Sequence, residues 1–300
     1  MATAAISANS NNSTTVRPLS GAPRALRLWF ALESRIAPAS AERRAARMFV
    51  TPPAHRRRTY ANSARARLAE HARSFDMIVR DGSRRISVST MGDGPAVMLL
   101  HGWGGSAVDM MPLGGAFARA GFRSVLFDMP GHGRSSGRES SLVEFMYAMR
   151  VVANALGTPE LLVGHSFGGA AAVFGVTEVG LPVRGAVLLS PAPGPAYYVD
   201  RFARALGLSR ERAEGMMRRV VQRVGRPVES LDAIVAARRA DVPALIVHDP
   251  KDREVPWRFA SAMADAWRTS RLVAAASVGH KRILRDPATI AAAVSFASSL

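Results

Sequence analysis

The 300-residue sequence contains no cysteine. This absence excludes disulfide bonds, thiolate ligands for a metal ion and a cysteine nucleophile. The sequence also lacks an apolar run near the roughly 20 residues that cross a bilayer, and it shows no spacing typical of metal ligands. We therefore expect a cytoplasmic protein without a metal or another cofactor. The acid-poor N-terminus leaves organellar targeting open as an alternative.

Lysine is nearly absent as well, because arginine accounts for 38 of the 40 basic residues. The formal net charge of +17 is concentrated at the N-terminus, where residues 1–75 contain thirteen arginines and only three glutamates. Such a charge can indicate nucleic-acid binding, but no binding motif and no interleaved aromatic residues accompany it. Biased codon usage explains the arginine excess better, so we do not expect a nucleic-acid partner.

Residues 1–74 are predicted to be a basic extension that is partly disordered. Its first 22 residues have no apolar periodicity, whereas two short helices are expected at about 24–36 and 40–49. The first helix carries large apolar side chains at Leu26, Leu28, Trp29, Phe30, Leu32 and Ile36. They favour docking on the protein's own body over contact of this basic segment with a membrane surface.

From residue 75 onward the sequence alternates strand, loop and helix patterns. A predicted hairpin at 75–90 is followed by apolar runs at 96–100, 123–127, 161–163, 183–189, 242–247 and 271–276. This alternation predicts an α/β fold with a doubly wound, mostly parallel sheet over residues 75–300. An insertion at about 191–241 is expected to form helices. This insertion has an apolar stripe of Met217, Val220, Val221 and Val224. We expect the stripe to pack on the body of the protein, with an orientation towards a functional site as the alternative.

The segment GHSFGG, residues 164–169, lies between an apolar run and a run of small residues. This pattern predicts a strand, a sharp turn and a helix, with Ser166 at the apex of the turn. A serine hydroxyl is a useful nucleophile only where a base can take its proton and N–H groups can bind the developing oxyanion. Short glycine-rich matches also arise by chance, so the partners of Ser166 decide its meaning.

Two residues on neighbouring loops are candidates for the base and for the acid that orients it. His280 follows the predicted strand at 271–276 and Asp252 follows the one at 242–247, which places both at the carboxyl edge of the sheet. Asp249 is an alternative to Asp252. Four other histidines are expected to have structural roles, namely His101, His132, His165 and His248.

Four elements of the sequence resemble the α/β-hydrolase superfamily, in its serine esterase and lipase branch. They are HGWGG at 101–105, DMPGHGRS at 128–135, GHSFGG at 164–169, and the loops that carry Asp252 and His280. The resemblance covers about residues 75–300. One departure is Asp249, which stands where members of the family usually have glycine and which keeps the identity of the acid open.

The resemblance implies a role for each matching residue. Ser166 is expected to attack an acyl carbon, His280 to accept its proton, and Asp252 to hold the imidazole in the right tautomer. The backbone N–H groups of Trp103 and Phe167 are expected to form an oxyanion hole, and the insertion at 191–241 to act as a lid.

The function expected from these residues is hydrolysis of a small-molecule carboxylic ester through an acyl-enzyme. The same residues also serve thioester, lactone or amide hydrolysis and acyl transfer, because the shared machinery does not identify the leaving group. A non-catalytic binding protein with the same fold is the alternative from another class. The complete set of Ser166, Asp252 and His280 counts against that alternative.

Overall fold

The computed structural model of the protein describes residues 22–53, 73–78 and 84–300, with the backbone alone for 73–78. The predicted disordered tail at 1–21 and the turn of the predicted hairpin at 81–82 lie outside the described residues. None of the helices within these ranges combines the length and the apolar character that crossing a membrane requires.

Eight strands form one sheet in the described part of the chain. They are β1 Arg73–Ile78, β2 Arg85–Met91, β3 Ala96–Leu100, β4 Arg123–Phe127, β5 Leu161–His165, β6 Gly185–Leu189, β7 Ala244–His248 and β8 Ser270–Ala274. Their order across the sheet is β1-β2-β4-β3-β5-β6-β7-β8. The pairings of β1 with β2 and of β2 with β4 are antiparallel, and the others are parallel. The predicted doubly wound, mostly parallel sheet is confirmed.

Helices cover both faces of the sheet and extend beyond it. Those in the described ranges are α1 Arg24–Ile36, α2 Pro38–Phe49, α3 Met111–Arg119, α4 Leu142–Leu156, α5 Phe167–Thr177, α6 Ala196–Leu206, α7 Arg210–Val224, α8 Ala233–Ala237, α9 Trp257–Ala266 and α10 Pro287–Ser298. Short 3₁₀ turns occupy Ala107–Met110, Val228–Leu231 and Arg282–Leu284.

The central strands are buried on both faces. Every residue of β3, β5, β6 and β7 is buried, as expected of parallel strands that helices cover on both sides. Successive side chains of a strand point to opposite faces. Met98 and Leu100 therefore join the apolar core with α4, α5 and α9, whereas Val97 and Leu99 join the core with α3 and α10. The carboxyl ends of the parallel strands are thereby held at one edge, where loops can carry functional groups.

The insertion between β6 and β7 contains α6, α7 and α8, and the two N-terminal helices pack against it. In the apolar cluster between them, Phe30 and Ala45 come from the N-terminal helices and Met216 and Val220 from α7. Both predicted N-terminal helices are present. The second begins at Pro38 rather than near residue 40, because the fixed φ of proline suits the first position of a helix.

Buried polar contacts also join the N-terminal helices to the insertion. The Arg212 guanidinium of α7 donates a hydrogen bond of 2.8 Å to the Glu42 carboxylate of α2. Within the pair of helices, Ser40 Oγ donates to Glu33 Oε1 over 2.8 Å. Both glutamates are buried, so each needs these partners to offset the loss of water.

Candidate active site

Ser166 lies at the sharp turn between the end of β5 and the start of α5. Its backbone angles are φ 54° and ψ −116°. A positive φ in a residue other than glycine costs on the order of 1–3 kcal/mol, and such strain concentrates at functional sites. The turn places Ser166 at the carboxyl edge of the sheet, where the loops after the neighbouring strands converge.

Two glycines make this turn possible. A β-carbon at Gly164 would collide with the carbonyl group of Gly168, and a β-carbon at Gly168 would collide with the carbonyl oxygens of Leu100 and His101. The start of α5 therefore approaches both its own strand and the end of β3 more closely than any side chain allows. The glycine spacing predicted for the turn has a direct steric cause.

His280 and Asp252 meet at the same edge. His280 Nδ1 donates a hydrogen bond of 2.7 Å to Asp252 Oδ2. Asp252 Oδ1 accepts the N–H groups of Glu254 and Val255, at 2.7 Å and 3.0 Å. Burial raises the pKa of Asp252, but the hydrogen bond from His280 and these N–H groups outweigh it, so the pKa is lowered overall. The carboxylate is ionised at neutral pH and holds the proton of the imidazole on Nδ1.

Asp249 has a different set of partners. Its carboxylate accepts the N–H groups of Lys251 at 2.8 Å, Ser277 at 3.3 Å and Gly279 at 2.6 Å. It thus ties the loop after β7 to the loop after β8. Of the two candidate acids, the one in contact with the His280 ring is Asp252.

Ser166 and His280 line one cavity of about 1080 Å³. Gly102, Trp103 and Phe167 line it beside them. Much of the remaining lining is apolar and comes from the end of α2 and from the insertion, with Met48, Phe49, Val50, Phe202, Val220 and Val224. A cavity with an apolar wall and a few convergent polar groups is typical of a small-molecule site.

The part of the cavity lining next to His280 in the sequence and on the neighbouring loop is charged. Arg253, Glu254, Lys281 and Arg285 line it. The Glu254 carboxylate lies 4.0 Å from His280 Nε2 and 3.9 Å from the Lys281 ammonium group. Glu254 is exposed and lies beside Nε2 of the His280 ring, whereas Asp252 binds Nδ1.

Trp103 and Phe167, the two residues predicted to form the oxyanion hole, line the same cavity. Phe167 is the first residue of α5, so its N–H has no partner within the helix. The N–H of Trp103 donates no hydrogen bond to any of the described residues. A β-carbon at Gly102 would lie 3.2 Å from Ser166 Cβ, which shows how closely the loop after β3 approaches the turn.

An aromatic cluster holds these two loops together. The ring centroids of Trp103 and Phe167 are 5.5 Å apart in an edge-to-face contact. Phe145 of α4 contacts the Phe167 ring at 5.2 Å, and His132 contacts the Trp103 ring at 5.3 Å. Edge-to-face pairs of this kind contribute about 0.5–1.5 kcal/mol each beyond their buried area. The cluster packs the loop after β3 against the start of α5.

Comparison with known proteins identifies the fold of this chain. A family model described as the alpha/beta hydrolase fold matches residues 95–232. A putative lipase from Acinetobacter baumannii AYE aligns with a TM-score of 0.60 and 19% identity, over 81% of this chain and 95% of its own. A hydrolase from Pseudomonas aeruginosa PA01 aligns with a TM-score of 0.61 and 18% identity, over 75% and 98%.

An esterase from Exiguobacterium antarcticum aligns with a TM-score of 0.58 and 20% identity, over 75% of this chain and 100% of its own. The chain therefore has the α/β-hydrolase fold. The resemblance inferred from the four sequence motifs is confirmed at that level. Among curated proteins, none matches the sequence.

His165 supports the His280 loop, a contact that the sequence did not reveal. His165 Nε2 donates a hydrogen bond of 2.8 Å to the carbonyl oxygen of His280, and the two ring centroids are 4.8 Å apart. Burial, reinforced by the neighbouring His280, lowers the pKa of His165 to about 3. The ring is therefore neutral at pH 7 and acts as a donor that positions the loop.

Two other histidines form hydrogen bonds with backbone groups, in agreement with the structural roles predicted from the sequence. His101 Nδ1 donates to the Gly102 carbonyl over 2.8 Å, and His101 Nε2 accepts the N–H of Met129 over 3.0 Å. His248 Nε2 donates to the Val255 carbonyl over 2.9 Å. Burial lowers the pKa of both rings. In the part of the chain that the structure describes, no cluster of three or more His, Asp or Glu side chains is arranged to hold a metal ion.

The wall formed by the N-terminal helices is a further feature that the sequence did not predict. Residues 48–51 and Pro53 line the cavity, although they lie more than 100 residues before Ser166. The apolar pattern of residues 24–36 indicated docking on the body. It gave no sign that the following helix would end at the active-site cavity.

Proposed function

We propose that the protein is a serine hydrolase that cleaves a carboxylic ester through an acyl-enzyme. The observation that carries this proposal is the shared cavity of Ser166 and His280. Ser166 stands on a strained turn, and the His280 ring is held in one tautomer by the ionised Asp252 at 2.7 Å. A nucleophile, a base and an orienting acid are the three groups that acyl transfer requires.

In the first half of the reaction, Ser166 Oγ attacks the carbonyl carbon of the ester while His280 Nε2 takes the hydroxyl proton. The carbonyl π bond breaks, and its electron pair becomes the oxyanion of the tetrahedral intermediate. Asp252 stabilises the imidazolium that forms. When the intermediate collapses, the bond to the alkoxy group breaks, and His280 gives its proton to the leaving alcohol.

In the second half, a water molecule attacks the acyl carbon and His280 takes its proton. When the second tetrahedral intermediate collapses, the bond between the acyl carbon and Ser166 Oγ breaks, the carboxylic acid leaves, and His280 returns the proton to Ser166 Oγ. The N–H groups of Trp103 and Phe167 donate to the oxyanion in both halves. Losing one donor of this kind typically costs about 2.7–4 kcal/mol of transition-state stabilisation.

The related structures support hydrolysis as the reaction class, since they include a putative lipase and an esterase. A thioesterase domain from the curacin biosynthetic pathway also shares the fold, with a TM-score of 0.54. Thioester cleavage uses the same nucleophile, base and donors, so the leaving group is the part of the proposal that needs its own measurement. The insertion with α6 to α8 is proposed as the lid, because it supplies much of the apolar wall.

The proposal is tested by hydrolysis of short-chain aryl esters and the matching thioesters. We expect the wild type to hydrolyse the esters and Ser166→Ala to lose about 10³-fold or more in kcat. Ser140→Ala is the matched control, because Ser140 also lines the cavity and its hydroxyl has no hydrogen-bond partner among the described residues.

Labelling with a fluorophosphonate probe gives a second readout that does not depend on the choice of ester. It should modify the wild type and the Ser140→Ala variant but not Ser166→Ala. Equal ester hydrolysis by the wild type and a folded Ser166→Ala variant would contradict the mechanism. Faster cleavage of thioesters at equal acyl length would reassign the leaving group.

A further inference from the structure

The helix α1 has two apolar faces, and only one of them is covered. Phe30 is fully buried against the insertion. On the other side, Leu28, Leu32 and Ile36 are 71%, 58% and 74% exposed. They follow one another at intervals of four residues and therefore form one stripe along the helix. Trp29, 38% exposed, borders that stripe.

This stripe is the main concentration of exposed apolar side chains in the described residues. The large apolar side chains that are exposed there are Leu28, Trp29, Leu32, Ile36, Tyr147 and Val235. Four of the six lie on α1. Single exposed apolar residues are common on soluble proteins, whereas a contiguous row bordered by polar residues marks an interaction surface.

The exposed charged side chains of α1 and α2 are all positive. The acids of α1 and α2 face inward, where Glu33 pairs with Arg44 and Glu42 pairs with Arg212. The exposed charges of the two helices therefore come from arginines alone. Those without a hydrogen bond or ion pair to any described residue are Arg24, Arg27, Arg35 and Arg43.

Two of these arginines belong to the same face as the stripe. Arg24 is four residues before Leu28, and Arg35 is seven residues after it, so both lie along one edge of the apolar row. On the other edge, the Arg44 guanidinium lies 4.4 Å from the centre of the Trp29 ring. An apolar row with arginines and a tryptophan at its edges is the pattern of a helix that lies in a membrane interface.

We propose that the outer face of α1 binds the surface of a membrane that contains anionic lipids. Leu28, Leu32 and Ile36 would enter the boundary between headgroups and acyl chains, while Arg24 and Arg35 bind the anionic headgroups. A second copy of this chain fits the face less well, because a two-fold contact would bring like charges together. Nucleic acid fits less well because the centre of the face is apolar.

This surface adjoins the cavity wall. The helix α2 packs against α1, and the residues at its C-terminal end, including Met48 and Phe49, line the cavity with Ser166. Membrane binding through α1 would therefore bring the cavity wall close to the lipid surface. The inference itself does not depend on the proposed ester hydrolysis and holds for any chemistry in the cavity.

The test is co-sedimentation of the full chain with vesicles of phosphatidylcholine, alone or with about 30% phosphatidylserine. We expect binding to the mixed vesicles and little to the neutral ones. The variant L28Q/L32Q/I36Q should lower the partition coefficient by about 1,000-fold or more, since each of the three side chains contributes about tenfold or more when it is buried. The variant R24Q/R35Q should lower it by about 20- to 30-fold, at about fivefold for each charge.

Val235→Gln is the matched control, because Val235 is 56% exposed on α8 and away from α1. It should leave vesicle binding unchanged, and all variants should keep the thermal midpoint of the wild type. Three outcomes would overturn the proposal: no binding of the wild type to the mixed vesicles, unchanged binding by L28Q/L32Q/I36Q, or a wild-type dimer that the same variant dissociates. The proposal would also be overturned if RNA displaced the wild type and L28Q/L32Q/I36Q from the mixed vesicles to the same extent.

Discussion

The burial of His165 predicts that acid weakens the fold in a specific pH range. The pKa of this ring is about 3 in the folded protein because burial removes it from water. In the unfolded chain, a histidine has a pKa of about 6.5. Between these two values the unfolded chain binds a proton that the folded chain does not. The free energy of unfolding therefore falls as pH is lowered from about 6.5 towards 3, and it is unaffected by this group above that range.

The size of the effect follows from the two pKa values. Each pH unit within the range changes the free energy of unfolding by about 1.4 kcal/mol for one such group. Between pH 7 and pH 5, His165 alone should remove about 2 kcal/mol. Burial also lowers the pKa values of His101 and His248, so these two rings add to the loss in the same direction. A loss of about 2 kcal/mol from His165 alone is a sizeable part of the stability of a typical domain.

Urea unfolding of the wild type and of His165→Gln at pH 7 and pH 5 measures this contribution. Glutamine keeps a donor for the His280 carbonyl but does not titrate. We expect the difference in free energy between the two pH values to be about 2 kcal/mol smaller in the variant, whatever its absolute stability. An identical pH dependence in both proteins would show that the His165 ring is not the neutral, buried group that the structure describes.

Three further predictions concern the active site. Asp252→Asn should lower kcat about 10³- to 10⁴-fold with little change in KM, because the amide no longer favours the right tautomer of His280. The kcat of Asp249→Asn should stay within about tenfold of the wild type. A larger loss of kcat in Asp249→Asn than in Asp252→Asn would make Asp249 the acid of the triad. Gly168→Ala should unfold the protein or cost about 3 kcal/mol or more in thermal and urea unfolding, since its β-carbon meets backbone carbonyls; near-wild-type stability would contradict the close approach. Val224→Trp should reduce kcat/KM for esters of about eight to twelve acyl carbons by about tenfold or more and spare acetyl esters, whereas an equal loss for all chain lengths would place Val224 outside the substrate path.

The sequence by itself determined the features that depend on neighbouring residues. The turn around Ser166 follows from two glycines and an apolar run within about ten residues, and the structure adds the steric cause at Gly164 and Gly168. The alternation of apolar strands with amphipathic helices was sufficient to predict the sheet. These patterns are local because strand and helix periodicity and backbone freedom act within a few residues.

Only the tertiary structure decided which groups meet across long stretches of chain. Asp249 and Asp252 are three residues apart, and the sequence favoured Asp252 but kept Asp249 open as the alternative acid. The folding of their loop brings the Asp252 carboxylate to His280 and the Asp249 carboxylate to the backbone of the next loop. His165 and His280 are brought together in the same way, across 115 positions of sequence. The end of α2 reaches the cavity only because α1 and α2 pack on the insertion. Side-chain packing of this kind depends on the complementary surfaces of distant elements, which no local pattern encodes.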